Sequence, residues 1–559
     1  MELLRHDGVD GAEPRSEPAD LAGNDGDDLV GAAVELAERL LAEAGRLESR
    51  AQRRRQARLG ALVEDRDAKR FAFLLTDRVL RPADRAVGAR QLAKLVAKRG
   101  APRAFPLLDR LGLRLAAAAA PKAPGLVMPL VVARLRRESD PVILDARPDR
   151  LARHLARRRR QGISGNVNVL GEAILGDAEA DRRRAAMLAQ LADPAVDYVS
   201  VKLSAIAANL SVVAFDATVE RLAERLAPLY RAAAVTTPPK FVNLDMEEYR
   251  DLWLTVGVFR ALLERPEFER LPAGIVLQAY LPDSFTALVE LTEWAQARVA
   301  AGGAPVKVRI VKGANLAMEA VEAEQHGWTP APFATKAEVD ANYKKMLDWA
   351  LTPERAAAVR IGAASHNLYD LAWALLLAEA RGVSERVDAE MLEGMAPGQS
   401  LAVARRARRL LAYTPIADRA DFASAVAYLT RRLDENTAPE NFLAALHRLA
   451  ADPAALAEQR QRFEAAVRDR LTLSAEPRRR QDRRAASPPT PSGELGPFVN
   501  EPDTDFTLPA NRAWLAAELA APRDAALPDE LTTLADIDEA VARARTAAAR
   551  WRAAPAGAR

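Results

Sequence analysis

Two adjacent arginines, Arg431 and Arg432, carry the most specific chemistry in this sequence. With Tyr428 and Glu435 they fall at i, i+3, i+4 and i+7 of YLTRRLDE, so on a helix the four share one face. Two guanidiniums presented together clamp a carboxylate bidentately, a geometry lysine does not supply, and Glu435 is placed to fix one of them. An exposed, salt-bridged helix has the same pattern, so the meaning depends on where the helix lies. Lys202, in YVSVKLS, reads in two ways. It is an anion-binding ammonium or, if its apolar flanks desolvate it to the neutral amine, a Schiff-base nucleophile of an aldolase or lyase. Asp245 in VNLDMEE, with Arg309 and Lys312 in VRIVKG, adds a carboxylate and two cations, a net positive set suited to an anionic substrate and a phosphate-bearing cofactor.

These residues need elements that bring them together. From Gly162 onward, short β-rich runs alternate with amphipathic helices: NVNVLGE (166–172), YVSVKLS (198–204), KFVNLDMEE (240–248), GIVLQAYL (274–281), VKVRIVKG (306–313), VRIGAASHN (359–367), VDAEMLEGM (387–395) and RLLAYTP (409–415). That spacing predicts repeated βα units closing into an α/β, TIM-like (β/α)8 barrel, which takes about 250 residues. Glu172, Lys202, Asp245, Gln278, Arg309, Lys312, His366 and Tyr413 stand at or near the carboxyl ends of the runs, the rim where such barrels build their sites. The double-arginine segment follows the last run, so its helix can lie over the mouth. Around the barrel, residues 1–27 read as a flexible acidic lead and 28–160 as a helical arm and α domain. The barrel takes 161–470, an Arg-, Pro- and Ser-rich linker 471–497, and a further module begins over 498–559.

Composition removes several alternatives. The 559 residues hold no cysteine, which excludes disulfides, zinc–thiolate sites and a cysteine nucleophile. The five histidines are scattered, without metal-ligand spacing, and there is no G-x-G-x-x-G, Walker loop or H-E-x-x-H. Lys plus Arg is 80 against 77 acids, a net charge of only +3, so the pI of about 9.1 does not argue for nucleic acid. The run Arg157–Arg160 lacks interleaved aromatics and reads as a solvated helix end. No secretory signal and no apolar run of membrane-spanning length are visible, which leads us to expect a cytoplasmic protein.

Taken together, NVNVLGEA, YVSVKLSAI, VNLDMEEY, VLQAYLPDS, VRIVKGAN, ASHN, EMLEGM and YLTRRLDEN closely resemble the proline dehydrogenase domain of bifunctional proline utilization A, over about 160–445. The tail from Phe498 resembles the start of that family's aldehyde dehydrogenase module, whose catalytic core would lie beyond Arg559; the second activity, NAD-linked oxidation of L-glutamate γ-semialdehyde to glutamate, is therefore not expected in this chain. The resemblance implies FAD held at the strand ends without a Rossmann fold, hydride transfer from C5 of L-proline to the flavin, Δ1-pyrroline-5-carboxylate as product, and quinone as electron acceptor. It also implies a homo-oligomeric parent protein with peripheral membrane association. By the same resemblance, Arg431 and Arg432 bind the proline carboxylate with help from Lys202, and Tyr413 packs on the proline ring. Asp245 stands beside the substrate, Glu435 near its amine, and Glu172 pairs with the first arginine to close the site. Gln278, Arg309, Lys312, Gly313, Ala314, His366 and Asn367 fall on flavin-contacting positions. One departure is the polar and aliphatic pair Asn315 and Leu316, where many members carry two aromatics.

Overall fold

In a computed structural model of the chain, residues 25–55, 58, 65–171, 174, 176–313, 315–418, 441–449, 452–485, 500–521 and 530–555 are described. Among the described residues nine strands form one sheet: β1 (Leu144–Asp145), β2 (Ile163–Val169), β3 (Tyr198–Lys202), β4 (Phe241–Asp245), β5 (Ala273–Gln278), β6 (Val306–Val311), β7 (Val359–Ala364), β8 (Val387–Leu392) and β9 (Leu410–Ala417). Strands β2 to β9 pair in chain order, all in parallel, and β9 bonds to both β8 and β2, which closes the barrel. Each of the eight β-rich runs overlaps one barrel strand. β1, too short to carry a periodicity, adds to β9 at Ile416 and Ala417.

Helices Asp177–Ala192, Phe215–Ala234, Leu252–Leu263, Asp283–Ala300, Lys336–Ala350, Leu368–Ala380 and Pro397–Arg406 alternate with the strands. The side-chain period of two explains how each strand serves both layers. In β6, Val306, Val308 and Ile310 are buried against the helices, each contributing about 1.5–3 kcal/mol, whereas Lys307 and Arg309 point into the barrel. Its interior is accordingly polar: Tyr198, Asn243, Lys307, Arg309, Asp388 and Glu390 are all buried and must find partners among themselves. Glycines make the room. A Cβ on Gly362 of β7 would lie 2.3 Å from Glu390 Oε1 and 2.9 Å from Lys307 Cε, and one on Gly274 of β5 would lie 2.4 Å from Asn243 Oδ1.

The stretch 28–160 divides between two packings. The helix Val30–Leu47 buries Ala33, Val34, Leu36, Ala37, Leu40 and Ala44 in the barrel's own core, and Glu43 pairs with Arg405 at 2.7 Å. Its approach to the helix Pro397–Arg406 needs Gly398, whose Cβ would meet Ala44 O at 2.5 Å. Helices from Arg66 to Ser139 instead share a small core of their own around Phe71, Val79, Leu92 and Met128. The described residues of 317–330 and 478–555 make up a second compact unit. Within it the Arg479 and Asp505 side chains, buried to 3% and 1% exposure, pair at 3.3 Å, and Asn511 Nδ2 donates to Gln481 Oε1 at 2.9 Å. Arg479, Gln481 and Arg483 thus lie in the stretch expected as a linker and yet are fixed within this unit. Among the described residues, no helix is long and apolar enough to cross a membrane.

Candidate active site

Four side chains from different strands converge where β4, β6, β9 and β2 end. Asp245 accepts from Arg309 Nη2, from Tyr413 OH at 2.8 Å, from Asn243 Nδ2 at 3.1 Å and more weakly from Asn168 Nδ2 at 3.4 Å. A carboxylate has about four lone-pair sites, so these donors occupy Asp245 fully. It holds Arg309 and Tyr413 in place and is not arranged to abstract a proton. The Arg309 guanidinium lies 5.2 Å from the centre of the Tyr413 ring, a cation–π contact that fixes the ring's face. Tyr413 is in the middle of β9 rather than at its end, but its length carries the hydroxyl to the rim.

Below this layer Lys307 Nζ bridges Asp388 Oδ2 at 2.7 Å and Glu390 Oε1 at 2.6 Å, and Glu390 Oε2 faces Arg309 Nη1 at 3.4 Å. Burial opposes the charge on both cations. The carboxylates around them outweigh it and hold the pKa values of Lys307 and Arg309 above their ordinary ranges. Lys307, Asp388 and Glu390 were not singled out in the sequence. They share Arg309's period of two along β6 and its counterpart along β8, a signal that marks them as inward-facing.

Lys202 behaves differently from its expected desolvation. Its side chain is 27% exposed and its ammonium is 2.5 Å from Glu247 Oε1, while Ser204 donates to the other oxygen of Glu247. The apolar neighbour Val201 does not surround it, because alternate residues of a strand face opposite sides of the sheet. The Lys202 nitrogen that would form a Schiff base is engaged by Glu247. It remains well suited to binding an anion at the rim.

Gln278, His366, Lys312, Gly313 and Asn367 stand at the carboxyl ends of β5, β7 and β6. Gln278 Nε2 donates to Met246 O at 2.9 Å, and its buried Oε1 has no partner among the described residues. His366 Nε2 accepts from Leu392 N at 3.0 Å, so Nδ1 carries the proton; that buried donor also has no partner among the described residues. Lys312 is 2.6 Å from Asp340 and 2.5 Å from Asp370. Asp370 also pairs with the buried Lys344. Beside this cluster, burial and the Lys312 charge bring the Lys336 pKa down to about 8. Gly313 has φ of 100°, and a Cβ there would meet the Tyr280 ring at 2.4 Å, so both conformation and space require glycine. Asn367 Oδ1 accepts from Tyr369 N at 3.0 Å and caps the helix Leu368–Ala380. Glu172, Ala314, Tyr428, Arg431, Arg432 and Glu435 lie outside the described residues.

The histidine gives a pH prediction. Burial lowers the His366 pKa from 6.5 to about 4, and a proton on Nε2 would face the Leu392 N–H. A folded-state pKa below the unfolded value means that the unfolded chain binds more protons between pH 6.5 and 4, so stability falls as pH drops through that window. The His366 contribution to the denaturation midpoint is expected to be flat above about pH 6.5 and to decline below it. His366→Gln should flatten the decline, and an unchanged slope in that variant would remove His366 as its source.

A closed parallel barrel with its charged side chains gathered at the strands' carboxyl ends defines a (β/α)8 barrel enzyme. A sequence model of the family described as proline dehydrogenase matches residues 151–445. The chain belongs to the proline dehydrogenase family, which are oxidoreductases. It is similar in structure to proline utilization A from Corynebacterium freiburgense, with a TM-score of 0.63 and 42% identity over 78% of this chain and 41% of that one. Proline utilization A from Bdellovibrio bacteriovorus, inactivated by N-propargylglycine, matches with a TM-score of 0.67 and 28% identity over 88% of this chain and 48% of that one. The Bradyrhizobium japonicum protein, at 23% identity and a TM-score of 0.60, shares the fold over 94% of this chain and 55% of its own. The chain thus spans 41% to 55% of the length of these proteins. No curated protein matches it.

Proposed function

We propose that the barrel binds FAD and oxidises L-proline at C5 to Δ1-pyrroline-5-carboxylate, with quinone as the final electron acceptor. One observation carries the cofactor reading: two buried polar atoms, Gln278 Oε1 at the end of β5 and His366 Nδ1–H just past β7, on either side of β6, are an acceptor and a donor without a partner among the described residues. Burying such groups unpaired costs about 1–3 kcal/mol each, and a heteroaromatic ring system with both donors and acceptors would satisfy them. Gln278, Arg309 and His366 would hold that ring, while Lys312, neutralised by Asp340 and Asp370, serves as a fixed support rather than a free cation. When bound, FAD supplies the two-electron acceptor that no side chain can provide.

The remaining work belongs to the chain. Arg431 and Arg432 clamp the substrate carboxylate, Lys202 adds a third positive charge at the rim, and Glu172 closes over the first arginine. Tyr413, its ring fixed by Arg309 and its hydroxyl by Asp245, forms a flat wall for the pyrrolidine ring. Tyr428 and Glu435 complete the helix face near the amine. Removing a hydride from carbon next to a neutral amine leaves a resonance-stabilised iminium, so no strong base is required. This suits Asp245, which is saturated with donors. The Bdellovibrio protein's inactivation by an N-substituted amino acid supports an amino-acid substrate.

The test is an absorbance spectrum of the purified chain between about 300 and 550 nm, the range of flavin absorption, before and after anaerobic addition of L-proline. Flavin bands that bleach with L-proline establish cofactor and substrate together. A protein that takes up no added FAD overturns the reading, and borohydride trapping of a substrate carbonyl on Lys202 then becomes the measurement that matters.

A further inference from the structure

Glu390 sits between the two cations of the barrel interior. Its side chain is 2% exposed; Oε1 is 2.6 Å from Lys307 Nζ and Oε2 is 3.4 Å from Arg309 Nη1. The space it occupies exists only because β7 carries no side chain at Gly362, where a Cβ would lie 2.3 Å from Glu390 Oε1. Neither cation depends on it alone. Lys307 keeps Asp388 at 2.7 Å, and Arg309 keeps its contact with Asp245. Glu390 is therefore the sole partner of neither cation, although it is the carboxylate that most supports the charge on Lys307. It also stands against Arg309, and between buried groups opposite charges so close interact far more strongly than in water.

We propose that Glu390 is a positioning residue that sets the reduction potential of the flavin by screening and orienting Arg309. The inference rests on the reading that flavin binds over Arg309. A reduced flavin carries more negative charge than an oxidised one, so a stronger positive field from Arg309 favours the reduced form. Glu390 lowers that field and keeps the flavin a weaker oxidant, which helps the electrons leave for the next acceptor.

The test is the midpoint potential of the full chain reconstituted with FAD, measured by spectroelectrochemical titration for the wild type, Glu390→Gln and Asp388→Asn. Glu390→Gln is expected to move the potential to more positive values. Asp388→Asn, which touches Lys307 but not Arg309, is expected to move it by less than half as much. No shift in Glu390→Gln, or equal shifts in the two variants, overturns the proposal. Should the glutamine variant fail to fold, Glu390→Asp draws the carboxylate back from Arg309 and should shift the potential in the same direction by a smaller amount; an unchanged potential there is equally decisive against it. A wild-type chain that takes up no FAD fails at the earlier step and removes the flavin reading along with this one, whereas normal bleaching by L-proline with an unmoved potential removes this inference alone.

Discussion

Asp245→Ala is expected to lower the stability of the protein by about 3–5 kcal/mol, the usual cost of deleting one partner of a buried ion pair. Arg309 is 5% exposed, and its Nη2 has Asp245 as its partner. Removing the carboxylate strands that nitrogen, and it also leaves Tyr413 OH and Asn243 Nδ2 without the acceptor they share. Glu390, 3.4 Å from the other terminal nitrogen and already engaged with Lys307, cannot replace it. Urea denaturation of the wild type, Asp245→Ala, Arg309→Met and the double variant measures the effect and its origin together. The double variant is expected to lose less than the sum of the two single losses, because it leaves no unpaired charge behind. Simple additivity would mean that the pair is not coupled and that Asp245 stabilises the mouth in some other way.

Arg431→Met and Arg432→Met are each expected to raise the KM for L-proline by about 10- to 150-fold, corresponding to about 1.5–3 kcal/mol for a hydrogen bond to a charged group, while FAD stays bound. Methionine keeps most of the length and apolar stem of arginine, so the substitution removes the charge and the fork of donors with little change in packing. A bidentate guanidinium clamp acts on the carboxylate in both the ground state and the transition state, so the loss should appear mainly in KM. Steady-state kinetics with the flavin content measured in each variant decide the matter. An unchanged KM in both variants would detach Arg431 and Arg432 from substrate binding, leaving Lys202 to carry the carboxylate contact.

Much of the architecture was legible in the sequence because strand and helix periodicities are local properties. Eight runs rich in β-branched residues, each followed by a helical pattern, lead directly to the closed parallel barrel. The polar residues at their carboxyl ends lead to the rim. The interior was less legible. In VKVRIV the alternation of valines and isoleucine with Lys307 and Arg309 marks two inward cations, and VDAEML marks Asp388 and Glu390 in the same way, but reading such residues as a charged core goes against the expectation that a small barrel is filled with aliphatic side chains. For Lys202 the sequence left two readings open for a related reason. Sequence neighbours on a strand lie on the opposite face, so apolar flanks say little about the surroundings of the side chain, and its ion-pair partner Glu247 is 45 residues away.

The sequence by itself determined the barrel, the family and the absence of thiol chemistry, because each depends on residue types within a few turns or strands of one another. Only the tertiary structure decided which charges meet. Arg309 pairs with Asp245 across 64 residues and Lys307 with Asp388 across 81, while Lys312 is neutralised by Asp340 and Asp370 from two different helices. Those partnerships are set by the stagger between strands when the sheet closes and by the glycines that leave room inside it, and stagger is a property of the closed barrel that no single stretch of sequence contains.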